Sequence, residues 1–186
     1  MSDLTKMALE NAFKEALAHK PLEKITISEL TNACGLSRMT FYYHFHDIYE
    51  VLTRYFIEQT DALLKEHESD ESWEKIFIAG LNFLYENKTA IDHIYWSVDG
   101  DALDRFLDKV VYNYVRGVIQ EESGSGRFSE KTISIAADFY KNALLGAVER
   151  WIEDDMNESP EQLAHLYNSV FSGTMEALLS SIEKAV

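Results

Sequence analysis

Apolar residues recur three and four positions apart along most of the chain, the period of a helix with one buried face. Leu9, Phe13 and Leu17, flanked by Ala12 and Ala16, predict a first helix over about residues 3–19, which Pro21 ends. A short second helix should begin at Ile27, with Thr26 as N-cap and Glu29 completing a capping box. Its apolar positions are Ile27, Leu30 and Ala33 or Cys34, and Gly35 supplies the left-handed exit. Ser37 then caps a third helix, Arg38 to about His44, with Phe41 and Phe45 facing inward. Asp47, with Glu50 three residues on, opens a fourth over about 48–65, along which Ile48, Val51, Leu52, Tyr55, Phe56 and Leu63 share one side. The polar stretch His67 to Ser72 ends it.

The stripes beyond Trp73 are again helical. Trp73, Ile76, Phe77, Leu81 and Leu84 mark a fifth helix, and Ile91, Ile94, Tyr95 and Val98 a short sixth begun by Thr89. Leu103, Phe106, Leu107, Val110, Tyr114 and Val118 make a seventh of about five turns, and EESGSGR, residues 121–127, reads as a flexible loop. Ser129 caps an eighth helix reaching about Glu153. A ninth starts with Ser159 as N-cap, Pro160 in the first turn and Gln162 closing the box. The fold expected is all-α, of about nine helices: an N-terminal three-helix domain over 1–48 and a larger helical domain over 49–186.

Composition agrees. The 186 residues are 46% apolar, enough for a sizeable core, and hold two prolines. One cysteine excludes an internal disulfide and fits a reducing cytoplasm. No export signal and no 18-residue apolar run stand out, so no membrane contact is expected.

Two short helices joined by a glycine-containing turn are the helix-turn-helix pattern, whose second helix enters the DNA major groove. Thr26, Ile27, Leu30, Gly35, Leu36, Ser37, Thr40, Phe41, Tyr42, His44 and Phe45, in this order and spacing, resemble the DNA-binding domain of the TetR/AcrR family of transcriptional regulators. The resemblance spans about the first 55 residues. Members commonly carry Ala at the position of Cys34 and, at that of Ile48, a Lys that meets a DNA phosphate. The run HFHDIYEVL is similar to a branch that includes regulators of dihydroxyacetone kinase operons, where an apolar residue at this point is common. The family pattern implies that the fourth helix connects the domains and that the last two build a four-helix dimer interface. Many members also bear a basic arm ahead of the first helix. Only Met1 to Thr5 precede Lys6 here, so none is expected.

Charge qualifies this picture. The formal net charge is −15, of which only −2 falls on residues 1–50. DNA binding would therefore rest on local contacts within a repulsive overall field, with marked salt sensitivity. Ser37 and Thr40 can donate to phosphates, and Lys24 and Thr26 can reach the backbone. Arg38, the one arginine in the first 50 residues, suits a bidentate guanine contact. Tyr42 and His44 are expected at the groove wall. Tyr43 divides evenly between DNA and packing, and Met39 can touch a thymine methyl.

In the second domain, small residues at Ala143, Gly146 and Ala147, and at Ser169 and Gly173, allow close helix approach. A homodimer through helices around 129–153 and 159–184 is expected, the alternative being a monomeric bundle. An effector pocket could draw on Phe77, Asn82, His93, Trp96, Phe106 and Tyr140, although such aromatic stripes are more often plain core. A co-regulator protein could replace the small molecule, as the kinase-operon resemblance implies.

Nothing points to catalysis, a metal or a cofactor. Cys34 lacks a nearby base, and His44 and His46 point to different sides of a helix. Asp99, Asp101, Asp104 and Asp108 lack the glycine and terminal glutamate of a calcium loop. Two readings follow. One is a homodimeric, sequence-specific regulator binding a double-stranded operator. The other is a helical ligand-binding or protein-interaction co-regulator with weak or no DNA binding.

Overall fold

The computed structural model describes residues 2–66, 73–97, 101–124 and 126–186. Their regular structure is nine α-helices and one 3-10 turn. The helices are α1 (Ser2–Leu17), α2 (Ile27–Ala33), α3 (Arg38–His44), α4 (Ile48–Glu66), α5 (Trp73–Glu86), α6 (Lys88–Tyr95), α7 (Asp101–Ser123), α8 (Glu130–Glu153) and α9 (Pro160–Glu183). The stretch His67 to Ser72, expected to end α4, and Val98, expected on α6, lie outside the described residues.

Several boundaries follow from local chemistry. The Thr26 hydroxyl accepts the Glu29 amide at 3.3 Å, which starts α2. Glu29 turns its carboxylate to Lys20 on the chain entering from α1, so half of the expected capping box is used for a tertiary ion pair. Gly35, at φ +66°, ends α2 in a Schellman motif: the Leu36 amide donates to the Thr31 carbonyl (2.8 Å) and the Gly35 amide to that of Asn32 (3.2 Å). At α9 both halves of the box form, Gln162 N to Ser159 Oγ at 3.3 Å and Ser159 N to Gln162 Oε1 at 3.1 Å. Two expectations shift. The first turn of α6 is Lys88, one residue before Thr89. The loop expected from Glu121 is shorter, because α7 continues to Ser123 before Gly124 and Gly126 take positive φ.

The chain forms two compact units, one of residues 1–68 and 86–106, the other of 69–85 and 107–186. In the first, α1 packs on α2, α3, α4 and α6, and α2 on α3. Its core holds Leu9, Phe13 and Leu17 of α1, Leu30 of α2, Phe41 and Phe45 at α3, Leu52 and Phe56 of α4, and Ile91 and Ile94 of α6, all buried. Each such side chain contributes about 1.5–3 kcal/mol on burial. In the second unit α8 packs on α9. Its aromatic centre runs from Phe77 to Trp73 (5.8 Å between centroids), to Phe171 (4.7 Å) and on to Tyr140 (4.4 Å).

Candidate nucleic-acid interface

The third helix is held by one face and bare on the other. Phe41 and Phe45 are in the core, their rings 5.7 Å apart. Helical geometry sends Met39 and Tyr43, one turn apart, the opposite way, and each is 82% exposed. Arg38 and Tyr42 form the neighbouring row and are exposed too. Tyr42 sets its ring edge-on to Phe41 at 5.7 Å, which steadies its base and leaves its tip in solvent. His44, half-buried, stacks edge-on with Tyr43 at 4.9 Å.

At the start of this helix the Ser37 Oγ accepts the Thr40 amide at 3.1 Å, and the two hydroxyls bond to each other at 2.9 Å. One hydroxyl proton is consumed between them and the other remains free to donate outward, whichever way the pair is oriented. Thr26 and Lys24 are exposed, just ahead of α2. All nine residues expected at a DNA surface thus lie in the first unit, on α3, at its N-cap or on the approach to α2.

Arg38 enters no ion pair among the described residues, whereas Arg54, Arg116 and Arg127 each hold a glutamate. Asp47 accepts the Glu50 amide at 2.8 Å, Glu50 accepts the His46 amide at 2.5 Å, and Glu29 holds Lys20. Ile48 is half-buried at the start of α4. Cys34 donates its thiol to the Ala8 carbonyl at 3.2 Å, and burial pushes its pKa up, which keeps it a thiol.

With this geometry in place, similarity can be weighed. The family model TetR_C_8, described as a transcriptional regulator C-terminal region, matches residues 71–173, over half of the chain. The chain belongs to the TetR family of transcriptional regulators. Solved structures of TetR-type regulators share its fold at low identity. The dihydroxyacetone kinase operon activator DhaS is 17% identical, with a TM-score of 0.66 over 93% of this chain and 97% of that one. NalD, the secondary repressor of the MexAB-OprM multidrug efflux pump in Pseudomonas aeruginosa, is 17% identical, with a TM-score of 0.60 over 93% and 97%. The fatty acid degradation regulator FadR from Bacillus halodurans is 15% identical, with a TM-score of 0.63 over 94% of each chain. No curated protein sequence matches the chain. The family and the fold are those of transcriptional regulators, and no helix among the described residues is long and apolar enough to cross a membrane.

The residues expected around an effector divide between the units of this TetR-family fold. Phe77, Asn82 and Tyr140 belong to the second unit, His93 and Trp96 to the first. Tyr140 is 4% exposed and bonds Thr174 Oγ1 at 2.8 Å, a satisfied core group. His93 Nδ1–H donates to the Leu17 carbonyl at 2.7 Å, tying α6 to the end of α1. Trp96 is 66% exposed, and the Phe106 side chain lies outside the described residues.

Polar groups that periodicity alone passes over complete the picture. Arg54 of α4 bonds the buried Glu10 of α1 at 2.9 Å, and Lys141 of α8 bonds Asp108 of α7 at 2.6 Å. Glu10 and Lys141 both interrupt apolar stripes, and a charge on a stripe is the available signal for a buried pair.

Proposed function

We propose that this chain is a homodimeric, sequence-specific DNA-binding regulator of the cytoplasm, and that residues 1–48 form its DNA-binding domain. In this reading α3 enters the major groove. Arg38 makes a bidentate contact to a guanine edge, Met39 and Tyr43 meet base edges and thymine methyls, and Ser37, Thr40, Tyr42, His44, Lys24 and Thr26 hold the phosphate backbone. The observation that carries it is the bare face of α3, where Arg38, Met39, Tyr42 and Tyr43 stand exposed on a helix locked from behind by Phe41 and Phe45.

The dimer half of the proposal rests on α8 and α9. Ile135 and Phe139 (57% exposed) continue along α8 into Ala143 and Gly146, and Leu166 and Val170 along α9 into Gly173 and Ala177. Each set repeats every three to four residues, an apolar stripe with small residues where a second helix pair can approach closely. Ala147, counted with these small residues from the sequence, is 6% exposed and packs within its own chain. A second copy covering this face brings two recognition helices to one operator, with half-sites about 34–36 Å apart. A small molecule or partner protein acting on the remainder of the chain, residues 49–186, then sets DNA affinity. The similar structures include an operon activator and an efflux-pump repressor, so the sign of regulation is a matter of where the operator lies.

Footprinting on DNA flanking the chain's own coding sequence tests this. The expected result is one protected, two-fold symmetric site whose half-sites lie one helical turn apart. Absence of protection at low salt, with the dimer intact, favours the co-regulator reading instead.

A further inference from the structure

We propose that Glu10, Arg54 and Glu58 form a proton-operated clasp between α1 and α4, tight when the two carboxyl groups share one proton and loosened when both are ionised. Glu10 stands one turn before Phe13 on the buried face of α1 and is 6% exposed. Arg54 Nε donates to Glu10 Oε1 at 2.9 Å and its Nη2 to Glu58 Oε1 at 2.9 Å. One guanidinium therefore serves two carboxyl groups, and the trio carries a net negative charge with one of its acids out of water. The two carboxylates converge on that one guanidinium, so when both are ionised their charges repel across it. One proton on the pair lifts that repulsion, and on Glu10 it also removes a charge that is out of water.

The surroundings leave this cluster to itself. Across the seam α4 meets Glu10 through Arg54, which also holds Glu58, and its Tyr55 turns edge-on to Phe13 at 6.5 Å. Glu29 of α2 and His93 of α6 meet the far end of α1, through Lys20 and the Leu17 carbonyl. The thiol of Cys34, the residue that caps α2, bonds the Ala8 carbonyl two residues from Glu10 and is kept protonated by burial. The α3 face carries Arg38, Tyr42 and Tyr43 outward into solvent. On α1 itself Lys6 and Lys14, one turn to either side, form no ion pair among the described residues. Burial first, then the hydrogen bond and charge of Glu58, push the Glu10 carboxyl above its ordinary range, and Arg54 opposes them.

A raised carboxyl pKa means that the folded chain keeps this proton to a higher pH than the unfolded chain. The stability it confers is therefore greatest near and below the ordinary carboxyl range and is lost as pH rises through the folded value. Because α3 packs on α1 and runs within a few residues into α4, the proton state of this seam also sets how firmly α3 is seated. That last consequence rests on α3 being the groove helix.

Thermal midpoints of the full chain between pH 5 and 8 test the clasp without DNA. Glu10→Gln imitates the protonated carboxyl at every pH, so its midpoint should gain on the wild type by about 2–4 °C as pH is raised. Subtracting the wild-type profile cancels the histidines, which titrate in the same range. Glu58→Gln, at a side chain 42% exposed, provides a variant that folds readily and should show the same relative gain. Profiles that stay parallel to the wild type in both variants overturn the proposal. Failure to bind DNA in every form would count against the groove-helix reading and leave the clasp to be decided by the midpoints.

Discussion

The hydroxyls of Ser37 and Thr40 bond to each other at 2.9 Å while the Thr40 amide bonds Ser37 at 3.1 Å, so a single serine both starts α3 and fixes the rotamer of the threonine one turn on. Ser37→Ala should therefore lose the cap, about 1 kcal/mol by urea unfolding, and free the Thr40 hydroxyl to rotate. DNA affinity should fall by a similar factor on specific and scrambled duplexes alike, since the pair positions without reading bases. Ser37→Thr, which retains the cap, should lose much less.

Gly35 is the one position in the α2–α3 turn that calls for a glycine. A Cβ there meets nothing within 4 Å, so Gly35→Ala costs only the left-handed backbone strain, about 1–2 kcal/mol, with no clash. Gly35→Asn should cost less than Gly35→Ala, because asparagine visits that region more readily. A urea series across the three proteins checks the order.

Phe139 and Val170 stand exposed on the outward stripes of α8 and α9. Phe139→Glu and Val170→Asp should leave helicity unchanged by circular dichroism and convert a dimer to a monomer in sedimentation equilibrium. Loss of tight operator binding should accompany the change, since one recognition helix then acts alone.

Alkaline pH should weaken the second unit through two groups. Tyr114 is pushed up by burial and by Glu121, and donates its hydroxyl to the Trp73 carbonyl at 3.1 Å. Lys141 is raised chiefly by its hydrogen bond to Asp108, with Asp138 adding to it at 3.5 Å. Both hold their protons longer when folded, so the stability they add is complete below pH values of 10 for the phenol and 10.5 for the amine and is lost above them. Tyr114→Phe and Lys141→Met should each cost about 1 kcal/mol at pH 7 and flatten the alkaline limb of the stability profile.

Much of this was legible in the sequence because it is local. Thr26, Ser37, Ser129 and Ser159 announced four helix starts by side-chain chemistry that acts over three residues, and Gly35 announced an exit by its lack of a Cβ. The exit of α8 uses the same motif but places Asp155 at φ 58° and Met156 at φ 52°, residues that give no such signal. What depends on distant partners was hidden. Nothing near Glu29 foretold that Lys20 would take its carboxylate, and nothing near residues 86–106 foretold that they would join the first unit. The residues proposed to face the groove were readable as a set because one short helix carries most of them. The residues expected around an effector come from four helices, and His93 in fact serves the end of α1.

The most direct measurement is the equilibrium affinity of the full chain for its footprinted operator and for a scrambled duplex of equal length, at several salt concentrations, with and without Arg38→Ala. Arg38 is exposed and enters no ion pair among the described residues, so its removal should leave the fold intact. The wild type should prefer the operator, and Arg38→Ala should cut that preference roughly 5- to 150-fold, as expected from about 1–3 kcal/mol for one bidentate base contact, with little change on scrambled DNA. Equal affinity of the wild type for both duplexes, or full preference kept by Arg38→Ala, would contradict the assignment of α3 as the helix that reads sequence.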